Sequence, residues 1–233
     1  MKLAVLQSNY LPWKGYFDII HDVDLFLFYD EVQYTKNDWR NRNKIYTATG
    51  LKWMTVPVYG TTEKRIDEIE IVRGRWQMQH YQSILTNYAK APYFRQYRDF
   101  LDFVYLDTVW NSLSELNQFL IRKIATDFLH ISTKLDQSNS YPSAGSGHQK
   151  LLSLVKNTGA NSYESGPAAR SYIISSDYRE AGIELIWKDY SGYPQYQQLH
   201  DPFQHQVSIL DVLFNTGPDA PYFIWGWREE VKN

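Results

Sequence analysis

The stretch YDEVQYTKNDWRNRNKI, residues 29–45, sets planar donors and acceptors among flat rings. Gln33, Asn37, Arg42 and Asn43 suit amides, carboxylates, sugar hydroxyls or phosphates, and Arg42 can clamp a carboxylate or phosphate with two bonds. Trp39 and Tyr34 offer faces for a sugar or a base. Asp30 ends the apolar run DLFLFYD, where it is placed to act as a base on an amine or to hold Mg²⁺ with a nucleotide. Asp24, at the start of that run, reads as an ordinary turn residue.

A second group is QSNYLPWKGY, residues 7–16. Gln7, Asn9 and Tyr10 follow a short apolar run, and Gly15 near the next helix start lets backbone approach a ligand where N–H groups favour an anion. Trp13 and Tyr16 fit that pocket or, equally, the core of a packed strand-to-helix turn. His148 opens a helix after a Ser/Gly loop and is a candidate ligand contact, while His80 lies inside a helical pattern and reads as structural or part of a lid. Ser165, Gly166 and Arg170 in SGPAAR, and Gln195 in YPQY, complete the set. Ser208 and Asp211 have the spacing of a helix cap, although Asp211 and Asn215, four apart, could instead reach a site. The metal spacing H-x-x-x-H and the nucleophile elbow G-x-S-x-G are absent.

The elements that must position these residues follow from hydrophobic period. KLAVLQ is a strand, GYFDIIHDV a helix, and DLFLFYD a continuous apolar run expected as a parallel strand buried on both faces. A hairpin is expected over residues 44–59, turning at Gly50, and another strand over 66–72. Helical spacing covers 76–90, 93–106 and 112–129. Then come the strand ISTKLDQS, the helix HQKLLSLVKNTG with Gly159 as its stop, the strand of ANSYESG, a helix PAARSYII opened by Pro167, the strand IELIWKD and the helix VSILDVLFNTG. Strands alternating with helices at both ends predict a Rossmann-like, three-layer α/β fold with a mostly parallel sheet, as one domain over 1–233 with an insertion or lid over roughly 44–130. In such sheets ligands sit at the carboxyl ends of the strands, which is where the polar segments fall.

The 233 residues suffice for a substantial core, and 24 Lys+Arg against 26 Asp+Glu leave no overall basic field for nucleic acid. With no cysteine, disulfides, thiolate metal sites and a Cys nucleophile are excluded. The N-terminal apolar run is too short for a signal peptide and no segment approaches a membrane span, so a cytoplasmic protein is expected.

QSNYLPWKGYF, VQYTKNDWRNRNKI, SGPAARSYI, YPQY and SILDVLFNTG together resemble the WbqC-like family, whose genes lie in bacterial surface-polysaccharide clusters, O-antigen among them, and whose suggested role is glycine transfer. More distantly, Trp13-Lys14-Gly15-Tyr16 is similar to the H-x-G-H motif of HIGH-superfamily nucleotidyltransferases, with Trp and Tyr for the histidines, and Ser165 to Arg170 to their S-S-T-x-I-R. There the two segments close on a triphosphate, so this likeness implies a nucleotide-shaped pocket. Together the resemblances imply a transferase joining a small aminoacyl or acyl group to a nucleotide-linked amino sugar. The acid would be activated with ATP and Mg²⁺, or would arrive as a thioester or aminoacyl-tRNA. Arg42 and Arg170 would hold phosphate or carboxylate, Gln7, Asn9, Gln33 and Asn43 would orient the acceptor, and Asp30 or His148 would take the amine proton. The competing expectation is a non-catalytic protein that binds a nucleotide sugar or a biosynthetic partner through the same groove.

Overall fold

The computed structural model describes residues 1–230. Strands β1 (Lys2–Leu6) and β2 (Leu25–Phe28) flank helix α1 (Lys14–His21). The hairpin β3 (Arg42–Thr47) and β4 (Gly50–Thr55) follows, then helices α2 (Trp76–Tyr88), α3 (Arg98–Asp102) and α4 (Leu113–Lys123). The chain re-enters the sheet with β5 (Lys134–Gln137), α5 (Gly147–Asn157), β6 (Ser162–Ser165), α6 (Ser175–Glu180) and β7 (Glu184–Trp187), and α7 (Ile209–Thr216) packs near the end. The five sheet strands are all parallel in the order β5-β2-β1-β6-β7. The chain therefore builds outward from β1 through β2 to β5, then returns to the other side of β1. That reversal opens a crevice between β1 and β6, and their pairing stops at Ala4↔Glu164, two residues before β1 ends.

Residue alternation explains the layers. Leu3, Val5, Leu25 and Leu27 point to one face and pack with Leu151, Leu154, Val155, Tyr163 and Tyr178. Ala4, Phe26 and Phe28 point to the other, where Phe17 and Ile20 of α1 meet Ile45, Met54, Tyr88 and Leu116 from the insertion. The insertion thus shares the core of the sheet's α1 face. Asp24 accepts a hydrogen bond from the Lys2 amide at 2.6 Å, tying the helix-to-strand turn to β1.

Four segments depart from their expected form, one of them the helix expected over 112–129, which is α-helical only to Lys123 and then forms a π-helical turn, Ile124–Phe128. Residues 66–72 give a 3₁₀ turn at Ile66–Glu68 instead of a strand, because the Arg65 amide donates to the Glu68 carboxylate at 2.8 Å and closes the turn locally. The helix expected over 93–106 is broken into a 3₁₀ turn (Phe94–Tyr97), α3 and a π-helical turn (Phe103–Asp107). After Pro167 only a 3₁₀ turn forms, Pro167–Ser171, and α6, which the sequence does not announce, follows it. Gly159, at φ +73°, sits just beyond α5 as its stop requires.

Candidate functional site

Gln7 and Asn9 leave β1 at the crevice, and both side-chain oxygens accept hydrogen bonds from the Arg40 guanidinium, Asn9 from Nη1 and Gln7 from Nη2. Arg40 precedes β3, and its backbone is fixed by the Asn117 amide of α4, which donates to its carbonyl at 2.7 Å. The Arg40 side chain is 13% exposed, its nearest carboxylate, Asp38, is 3.6 Å away, and its Nε has no acceptor among the described residues. Asp38 is itself engaged by the Thr35 hydroxyl and the Trp39 amide, each at 2.7 Å. Burial lowers the Arg40 pKa, opposed by Asp38, yet an arginine stays charged at neutral pH. The crevice therefore holds a cation that the protein only partly neutralises.

Beside it lies a cavity of about 290 Å³ lined by Asn9, Pro12, Trp13, Trp39, Asn43 and Gln206. Asn9 belongs to both features, so Arg40 and the cavity are contiguous. The Trp13 indole is wedged edge-on against Tyr190 and Tyr193, with centroids 5.2 and 6.0 Å apart, and folds across Gly15. A Cβ on Gly15 would stand 2.3 Å from Trp13 Cζ2, so glycine here makes room for the indole. Asn43 is a wall rather than a free donor, its amide reaching the Leu11 carbonyl at 2.6 Å and its oxygen taking the Lys44 N–H at 2.7 Å.

The profile of the WbqC-like protein family matches residues 7–222. The chain belongs to the WbqC-like family. The chain is also 44% identical over 225 residues to an uncharacterized protein of Mycobacterium tuberculosis, Rv1507c, spanning 96% of this chain and 97% of that protein. No solved structure matches the chain.

In this WbqC-like chain the remaining sequence candidates are dispersed. Buried Asp30 accepts from the Ser8 amide (2.8 Å), the hydroxyls of Ser8 (2.7 Å) and Ser114 (2.5 Å), and Gln118 Nε2 (2.9 Å). It lines a separate cavity of about 370 Å³ with Glu31 and Asp67. No group of three or more His, Cys, Asp or Glu among the described residues could hold a metal. The His148 ring lies against α6, Nε2 3.0 Å from Asp177 and Nδ1 accepting from the Ile174 amide at 3.4 Å. Arg42 is on the hairpin, its guanidinium 4.3 Å above the Trp53 ring and bonded to the carbonyl of Asn37, itself at φ +56°. Gln33 donates to the Thr62 carbonyl, and Gln195 is exposed. Tyr10 is buried between His80 (2.9 Å) and Tyr105 (2.5 Å), and the Tyr16 hydroxyl donates to the Gln7 carbonyl at 2.9 Å.

Arg170 stacks 5.2 Å from the Trp187 ring, and Ser165 is buried at the end of β6. Tyr190 stands between the two segments that resemble the nucleotidyltransferase motifs, its ring beside Trp13 and its hydroxyl 3.5 Å from where a Gly166 Cβ would lie. Arg40, Pro12 and Gln206 escaped the sequence reading. So did Lys14, whose buried ammonium sits 4.8 Å from the Tyr193 ring and 5.4 Å from Tyr196; burial lowers its pKa to about 8, against the pull of Asp211 and Asp18. Ser208 caps α7 through the Leu210 amide at 3.3 Å. Asp211 instead takes the hydroxyls of Tyr88 (2.9 Å) and Tyr196 (2.8 Å) in the core.

Proposed function

We propose that this protein is a transferase of surface-polysaccharide biosynthesis that joins a small aminoacyl group, such as glycyl, or another acyl group to the amine of a nucleotide-linked amino sugar. The observation that carries this is the partly neutralised Arg40 at the strand reversal, sharing Asn9 with a cavity walled by Trp13 and Trp39. An anionic group belongs at Arg40 and a polar ring between the indoles. The amine nitrogen attacks the acyl carbon, the C–N bond forms, and the leaving group departs with cleavage of its C–O or C–S bond. The nitrogen's proton passes to water. Arg40 stabilises charge that develops on the leaving group or the acyl oxygen, and orientation supplies the rest of the acceleration.

The test is purified protein with UDP- or TDP-linked amino sugars and glycine plus ATP and Mg²⁺, a glycyl thioester, or glycyl-tRNA, followed by mass spectrometry of the sugar. ATP–pyrophosphate exchange identifies the adenylate route. One observation favours a binding-only role: Asp30 and His148 are engaged by protein partners, and neither lines the cavity that Asn9, Trp13 and Trp39 wall. That role prevails if no donor yields an N-acylated sugar while nucleotide sugar binds and Arg40→Ala abolishes binding.

A further inference from the structure

The cavity wall continues onto the exposed face of the hairpin. Trp39, which lines the cavity, lies 5.5 Å from Trp53, and each ring residue is 42% exposed. Arg42 and Lys44 of β3 stand over Trp53 at 4.3 and 4.7 Å. Neither forms an ion pair among the described residues, and the Arg42 Nε has no acceptor there. From residue 36 to 52 the cations Lys36, Arg40, Arg42, Lys44 and Lys52 face the single carboxylate Asp38, in a chain of net charge -2. Two partly exposed indoles with two cations outside any ion pair, at the edge of a cavity of sugar size, match a flat base followed by phosphates.

We propose that the Trp39–Trp53 face of the hairpin is a nucleoside-diphosphate subsite, with the base stacked on the indoles and the phosphates taken by Arg42 and Lys44. The sugar then enters the cavity past Asn9, with the Arg40 guanidinium beside it. This rests on the transferase reading for the sugar but not for the nucleotide.

The experiment is titration of the whole protein with UDP and with dTDP by calorimetry, repeated on Trp53→Ala, Lys44→Ala and Trp53→Phe. Trp53→Ala is expected to weaken binding by about tenfold, a single base–aromatic stack, and Lys44→Ala by several-fold with a shallower salt dependence. Trp53→Phe retains most of the affinity. The urea midpoint of each variant separates a lost subsite from a lost fold. Nucleotide binding that Trp53→Ala and Lys44→Ala leave unchanged overturns the proposal, as does tenfold tighter binding of a single-stranded oligoribonucleotide ending in CCA. N-acylation with an unchanged KM for nucleotide sugar in Trp53→Ala sinks the subsite and spares the transferase. Binding that depends on Trp53, without any acyl transfer, does the reverse.

Discussion

Arg40→Ala is the substitution that most directly probes the crevice. In the wild type the guanidinium makes two charge-assisted bonds, to Gln7 and Asn9, with Asp38 at 3.6 Å. Such bonds contribute roughly 1.5–3 kcal/mol each, but truncation also removes the cost of burying the cation and lets water reach both oxygens, so a net stability loss of about 2 kcal/mol is expected. For a chain with a urea m-value of about 2 kcal/mol/M this lowers the midpoint by about 1 M. The effect on a bound anion is larger. Truncating one partner of a hydrogen-bonded buried charge pair costs about 2–5 kcal/mol, so KM for the anionic substrate should rise by at least thirtyfold. Arg40→Lys retains the charge without the planar fork and should recover only part of each loss. Urea titration gives the first quantity and the N-acylation assay, or nucleotide-sugar calorimetry, the second. An Arg40→Ala protein with the wild-type midpoint and unchanged ligand affinity would refute the assignment of the crevice.

Two other outcomes follow from burial. The His80 pKa is lowered to about 4, first by burial, so the folded protein binds fewer protons than the unfolded chain between about pH 4 and 6.5. The resulting stabilisation is complete above pH 6.5 and is lost as pH falls through 4; it amounts to about 3 kcal/mol. Urea midpoints of wild type and His80→Gln should converge over that window, and a constant gap would contradict the shift. Gly15→Ala puts a Cβ 2.3 Å from the Trp13 indole and should cost about 1–3 kcal/mol through overpacking. In a Trp13→Ala background the same change should instead stabilise by about 0.5–1 kcal/mol through helix propensity; equal effects in both backgrounds would show that the indole is not the obstacle.

The sheet was legible because β1 and β2 are apolar on both faces, and no competing period fits runs so short. The breaks in the insertion were not, since an apolar spacing of three and four is compatible with 3₁₀, α and π turns alike. At the site, Asn9, Trp13, Trp39 and Asn43 were identified and line one cavity. The sequence reading points to Arg42 and not to Arg40, although they lie two residues apart with the same chemistry. Nothing local distinguishes them. The difference comes from Gln7 and Asn9, more than thirty residues away, which accept from one guanidinium only. Asp30 follows from the end of a strand and His148 from a helix start after a Ser/Gly loop, but their partners Ser114, Gln118 and Asp177 come from remote segments whose approach no spacing reveals.

Trp39 and Arg40 are consecutive, yet one lines the cavity towards the hairpin and the other enters the crevice at the sheet. Their backbone is held from two sides: the Trp39 carbonyl accepts the Tyr10 amide at 3.0 Å, and the Arg40 carbonyl accepts Asn117 Nδ2 at 2.7 Å. The first bond comes from the loop after β1 and the second from α4, so both elements must be in place before either side chain is aimed. The separation of a cationic corner from an aromatic one is thereby fixed by the fold before any ligand arrives. On the transferase reading proposed above, such a site would gain rate from orientation, which accords with a cavity wall that carries no activated nucleophile.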